Sequence, residues 1–256
     1  GENPLPGVYF NYFLPTEANE VSLEVLDKTG FVVGSRTGLP KAKGLNRASH
    51  GLFRYPSYRP VPGMIFWAAG PSPIPAPPGE YTVNLKVDGR TLTQTFRLTV
   101  DPRFDATEAD LQEQTALARK ISSRVDDANG AVLQIRDLRT KLEEAQKATP
   151  SLNGEVTALI AKITDIENEI YQTKLRSGQD PLNYPIKLNN KIAGILGVVL
   201  GGDFKPTQQS YDVFNRLSGQ LQVQLDALKH AIDVDLKAVN AKLQGAGKDP
   251  IRLGQP

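Results

Sequence analysis

The 256-residue chain holds few side chains suited to acid–base or nucleophilic chemistry, and they are scattered. Its two histidines, His50 and His230, stand far apart in segments of different character. His50 follows Ser49, which puts a nucleophile type beside a base type. Neighbouring side chains rarely reach the geometry of an activated serine, and no Gly-x-Ser-x-Gly elbow accompanies them. His230, beside Lys229 in a helical pattern, reads as a solvated polar residue. The carboxylate pairs Asp126-Asp127, Glu143-Glu144 and Asp233/Asp235 have the composition of a glycosidase acid and base. All three lie between apolar positions of helical segments, where charges normally face water. Cysteine is absent, which removes thiol nucleophiles, thiolate metal sites and disulfides. No HExxH motif, EF-hand loop, phosphate loop or dinucleotide fingerprint occurs. The sequence therefore assigns no catalytic residue, no metal and no cofactor.

Aromatic side chains are the remaining lead. Tyr55, Tyr58, Phe66 and Trp67 lie near proline-rich loops, and such rings stack on sugars through an apolar face and a polar edge. Trp67 and Tyr58 are the two expected to be exposed. The commoner use of such rings is to fill a core or the junction between domains, and that reading comes first.

The elements that would position these rings are legible in the pattern. Residues 1–104 hold 13 of the 19 prolines and 13 of the 18 aromatic residues, which predicts a small sheet domain punctuated by proline. Strands are predicted over Val8–Leu14, around Val21, Leu23 and Val25, and over Phe31-Val32-Val33, the last two joined by an Asp27–Gly30 turn. Pro40–Asn46 reads as a loop, Gly51–Tyr55 as a possible strand and Met64–Ala68 as a better one. The plainest feature is a hairpin. Tyr81, Val83, Leu85 and Val87 alternate with polar residues, Asp88-Gly89 makes a type I′ turn, and a threonine-rich strand returns to Val100. Pro71–Pro78 between Trp67 and this hairpin should be extended, an inter-strand crossover in part polyproline II. Six or seven short strands with regular turns suggest an immunoglobulin-like β-sandwich.

After Thr107-Glu108-Ala109-Asp110, which has the form of a capped helix start, the period changes to that of the helix. Ala118, Ile121, Val125, Ala128, Val132, Ile135 and Leu142 form a coiled-coil-like seam. They predict one helix from about 108 to 147, roughly 60 Å long. A second is predicted to about 175 after Thr149-Pro150, a short third over Leu188–Val199, and a last from Pro206 to Gly245. The fold class is therefore multidomain α+β: a sandwich over 1–104 and an elongated antiparallel helical bundle over 105–256. Helix lengths suggest three layers with a broken middle helix.

Net charge is +2, which gives no reason to expect nucleic acid or an anionic membrane as partner. No apolar run approaches the roughly 18 residues of a membrane span. The one methionine is Met64 and no signal peptide is visible, so a processed product or, preferably, an excised fragment is expected.

The run Glu20–Val33 resembles the opening hairpin of the immunoglobulin-like domain of flagellar hook-capping proteins. Gly44-Leu45-Asn46-Arg47, Tyr55-Pro56, Pro62–Trp67 and Pro78–Val83, followed by Gln134–Arg139, Tyr184–Asn189 and Pro206–Tyr211, extend a resemblance over nearly the whole chain. It is to the carboxy-terminal region of large exported bacterial proteins with sortilin-like or Asp-box β-propellers, often labelled glycosyl hydrolase-like. His50-Gly51 stands where that family usually has Trp-Asp, and no Asp-box repeat occurs in this chain. The resemblance implies a non-catalytic structural or interaction module, outside the cell or in the cell envelope, whose first partner is an upstream propeller of the same protein. Contact with a protein partner through the helices is a further expectation, and oligomerisation through the bundle, which predicts a leftover apolar stripe on a long helix, is a separate one. The rival readings are a carbohydrate-binding accessory module, which requires exposed rings on one face, and an enzyme, which requires clustered titratable groups in a pocket.

Overall fold

Period-two alternation produces strands up to Leu98, and the helical period takes over after Thr107, so antiparallel sheets precede helices in a mixed α and β chain. The computed structural model describes residues 7–51 and 53–254. The chain forms two compact units. One comprises residues up to Ser57 with Ser72–Arg119 and Gly202–Pro206; the other comprises Tyr58–Pro71, Lys120–Gly201 and Thr207–Pro256.

The first unit contains the strands β1 (Val8–Leu14), β2 (Val21–Leu26), β3 (Val32–Arg36), β4 (Gly44–His50), β5 (Arg54–Tyr55), β6 (Ile74–Pro75), β7 (Gly79–Val87) and β8 (Arg90–Leu98). They pair antiparallel as β1–β4, as β3–β2–β7–β8 and as β5–β6. The β7–β8 hairpin turns through Asp88 and Gly89, both at positive φ as a type I′ turn requires. The Asp88 carboxylate also accepts the backbone N–H groups of Asn19 and Glu20 at 2.9 and 2.8 Å. Val21, Leu23 and Val25 of β2 are buried. The rings of Phe10, Phe53, Tyr81 and Phe96 meet at centroid distances of 5.6 to 6.2 Å. Strand β4 begins inside the segment expected as the loop Pro40–Asn46.

Asp27 organises the turn before β3. One carboxylate oxygen accepts from the Thr29 hydroxyl and the N–H groups of Thr29 and Phe31, and the other accepts from Tyr55 Oη at 2.8 Å. Burial alone would raise its pKa. The hydrogen bonds from Thr29, Tyr55 and Phe31 outweigh that, and the net shift is downward.

The helices are α1 (Glu108–Ala148), α2 (Asn153–Ile170), α3 (Leu188–Val199), α4 (Gln208–His230) and α5 (Lys237–Gly245), with a π-helical segment, Ala231–Leu236, joining the last two. The predicted cap is present: Thr107 N–H donates to Asp110 Oδ2 at 3.0 Å, and Asp110 N–H donates to Thr107 Oγ1 at 3.2 Å. Every seam residue of α1 from Ala118 to Leu142 is fully buried, and Leu138 fills the gap left in the predicted spacing. The π-helical segment is the turn in which buried Ala231 and Leu236 stand five residues apart. Helix α2 ends at Ile170, short of the predicted 175, because Tyr171 turns into an extended conformation. Buried Glu167 on α2 receives Arg136 and Arg139 of α1 at 2.8 and 2.6 Å, so its charge is compensated twice. No described helix is long and apolar enough to cross a membrane.

Two measurements follow from these contacts. Asp27→Asn should cost about 2 kcal/mol in urea denaturation, because buried donors then lose a charged acceptor. Burial pushes the Tyr58 and Tyr81 phenols up to about 12 and raises Tyr55 as well. Their folded pKa values exceed the unfolded value of about 10. Their contribution to stability is therefore complete below that pH and is lost as pH rises towards 12. A spectrophotometric titration should show a late-ionising group of tyrosines.

Candidate functional site

The predicted strand over Met64–Ala68 does not form, and the reason defines the candidate site. Gly63 and Ala68 have positive φ of 79° and 51°, which breaks an extended run at both ends. The backbone between them bonds instead to side chains on α3 and just past the end of α2. Ile65 N–H donates to Tyr171 Oη at 3.1 Å, and Trp67 N–H donates to Asn190 Oδ1 at 2.7 Å. Asn190 Nδ2 donates back to the Trp67 carbonyl at 3.0 Å, so one amide grips both polar groups of one residue. Further back, Arg59 N–H donates to Asp126 Oδ1 at 2.8 Å. Residues 58–71 have no strand partner, and these bonds satisfy backbone groups that would otherwise be left open.

Asn190 is itself held. It is buried on α3, its N–H donates to Asn189 Oδ1 at 2.7 Å, and Asn189 Nδ2 donates to Asn129 Oδ1 on α1 at 3.2 Å. Three buried asparagines thus link two helices to the loop. Ala68, a non-glycine residue in the left-handed region, carries backbone strain next to the gripped tryptophan.

The four aromatic candidates part company here. Trp67 is 43% exposed. Tyr58, expected to be exposed with it, is 1% exposed: its ring stacks on Phe66 at 5.3 Å and its hydroxyl donates to the Ala69 carbonyl. Phe66 is half-buried under that stack. Tyr55 belongs to the first unit, where it is buried, bonded to Asp27 and covered by the Arg119 guanidinium 4.3 Å from its ring centroid. Only Trp67 presents a large face.

That face lines a groove of about 620 Å³. From α3 come Asn190, Lys191 and Gly194, and from α4 Val213, Arg216, Leu217 and Gln220, each set on one helical face. A Cβ added at Gly194 would meet no atom within 4 Å, so that position leaves the groove open. The Asn189-Asn190 pair inside an otherwise apolar helix was the sequence signal of this arrangement, since buried amides require partners.

The histidines and the paired carboxylates lie elsewhere. Ser49 and His50 are consecutive on β4 and point to opposite sides of the strand. The His50 ring lies 5.0 Å from that of Phe53, and His230 is exposed. Asp127 pairs with Arg124, Asp233 with Lys229 and Asp235 with Lys162. The hydrogen bond from Lys229, with its charge, holds the Asp233 carboxyl below its ordinary value. Among the described residues, no three His, Asp or Glu side chains are grouped to hold a metal ion.

No family model matches the chain, and no curated protein or solved structure matches it.

Asn190→Ala should release the loop. The expected result is stronger acrylamide quenching and a red-shifted emission of Trp67, the chain's one tryptophan, with helical circular dichroism retained.

Proposed function

We propose that this chain is the non-catalytic carboxy-terminal structural and interaction module of a larger exported bacterial protein. In this reading the first unit is an immunoglobulin-like sandwich, the helices form an elongated antiparallel bundle of three layers with a broken middle helix, and an upstream β-propeller is the first partner. The observation that carries the reading is Trp67. A large ring held outward on a backbone gripped from both sides suits contact with another molecule better than packing. Asp126, Asp127, Asp233 and Asp235, by contrast, are spent on ion pairs and on the Arg59 amide.

A carbohydrate-binding accessory module is the second reading. One exposed ring falls short of the set of rings on one face that such a module was expected to show, and what supports the reading is the groove of about 620 Å³ beside that indole, the volume of a small-ligand site.

Size-exclusion chromatography of the chain with its separately produced upstream propeller tests the first reading. The two should elute together, and Trp67→Ala should weaken the complex about tenfold. Independent elution of the two pieces would contradict it.

A further inference from the structure

We infer that the groove beside Trp67 takes an anionic sugar, its uronate carboxylate held by Arg216 and Lys191. This rests on the carbohydrate-binding reading and adds the ligand's charge class.

Positive charge is left unspent at the groove. Arg124, Arg136, Arg139, Lys162 and Lys242 of the helical unit each have a carboxylate partner, whereas Lys120, Lys147 and Lys248 have none among the described residues; what sets Lys191 and Arg216 apart is a shared groove. Lys191 and Arg216 lie on different helices and line the same groove, and neither side chain has an ion pair or a hydrogen bond among the described residues. No Asp or Glu lines that groove. Two uncompensated cations facing one concavity attract a negative group, and the guanidinium fork matches a carboxylate with two parallel hydrogen bonds. Gln220, one turn from Arg216 along α4, adds a donor and an acceptor for hydroxyls.

The Trp67 face supplies the other half of the recognition. Pyranose rings carry C–H groups on one side, and these pack on an indole with little loss of hydration. The Asn190 grip and the strained Ala68 hold the backbone that carries the ring before any ligand arrives, which lowers the ordering cost of binding. An acidic peptide would satisfy the cations but would not need the flat ring.

The test is titration of the full chain with digalacturonate, with neutral galactobiose and with a hexaglutamate peptide, read by calorimetry and by Trp67 fluorescence. Digalacturonate should bind saturably, about tenfold more weakly in Arg216→Gln, and not at all in the double variant Arg216→Gln/Lys191→Gln. Both cations are exposed, so these variants should keep wild-type circular dichroism. Gly194→Leu, which builds into the open groove, should block binding without touching the cations. Galactobiose binding as tightly as digalacturonate, with Arg216→Gln indifferent, would overturn the anionic assignment and leave the carbohydrate reading standing. No heat and no fluorescence change with either sugar would overturn both. Hexaglutamate binding more tightly than digalacturonate would overturn the inference in favour of a protein partner.

Discussion

A backbone that leaves the sheet must still find partners for its N–H and C=O groups, and in residues 58–71 side chains on the helices and at the end of α2 supply them. Tyr171, Asn190 and Asp126 each bond to main-chain atoms of the loop. With the backbone gripped at Trp67 and turned at Gly63 and Ala68, the side chains divide. Tyr58 and Phe66 stack inward, and Trp67 faces out. The exposed ring is thus a consequence of how the loop's hydrogen bonds are met.

The same device recurs through the chain. Asp27 takes two backbone N–H groups of its turn, Asp88 takes those of Asn19 and Glu20, and Asp180 takes those of Arg176 and Ser177. Short polar side chains close the irregular segments, while apolar periodicity shapes the regular ones. Within the helical unit the two combine. The α1 seam is fully buried, yet the helix also carries Asn129, Arg136 and Arg139, which reach polar groups of α3 and α2. Such a network helps fix the register between helices, and here its one open end is the buried Asn129 Nδ2, which has no partner among the described residues.

Where one face of an element is plainly apolar, the sequence was enough to place it. The hairpin ending at Leu98, the seam of α1 and the start of that helix at Thr107 are cases of this kind. Strand β4 was hidden because its pattern is inverted: Leu45 is 78% exposed, while the small or polar Asn46 and Ala48 are buried. Ile65-Phe66-Trp67 has the composition of a strand, but tertiary hydrogen bonds override local preference. The π-helical turn adds a residue that a fixed helical period does not anticipate. Of the candidate site, Trp67 was legible as a ring near a proline-rich loop. Its neighbours were not, because Asn190, Lys191 and Arg216 are more than a hundred residues away along the chain and meet it only through helix packing.

Amide hydrogen exchange at Arg59, Ile65 and Trp67 tests the gripped loop most directly. The account predicts protection comparable to that of buried helical amides, because each of these three N–H groups donates to a side chain on a helix or, for Tyr171, at the end of one. Exchange at the rate of an open loop would contradict it, and with it the claim that Trp67 is held ready for a partner.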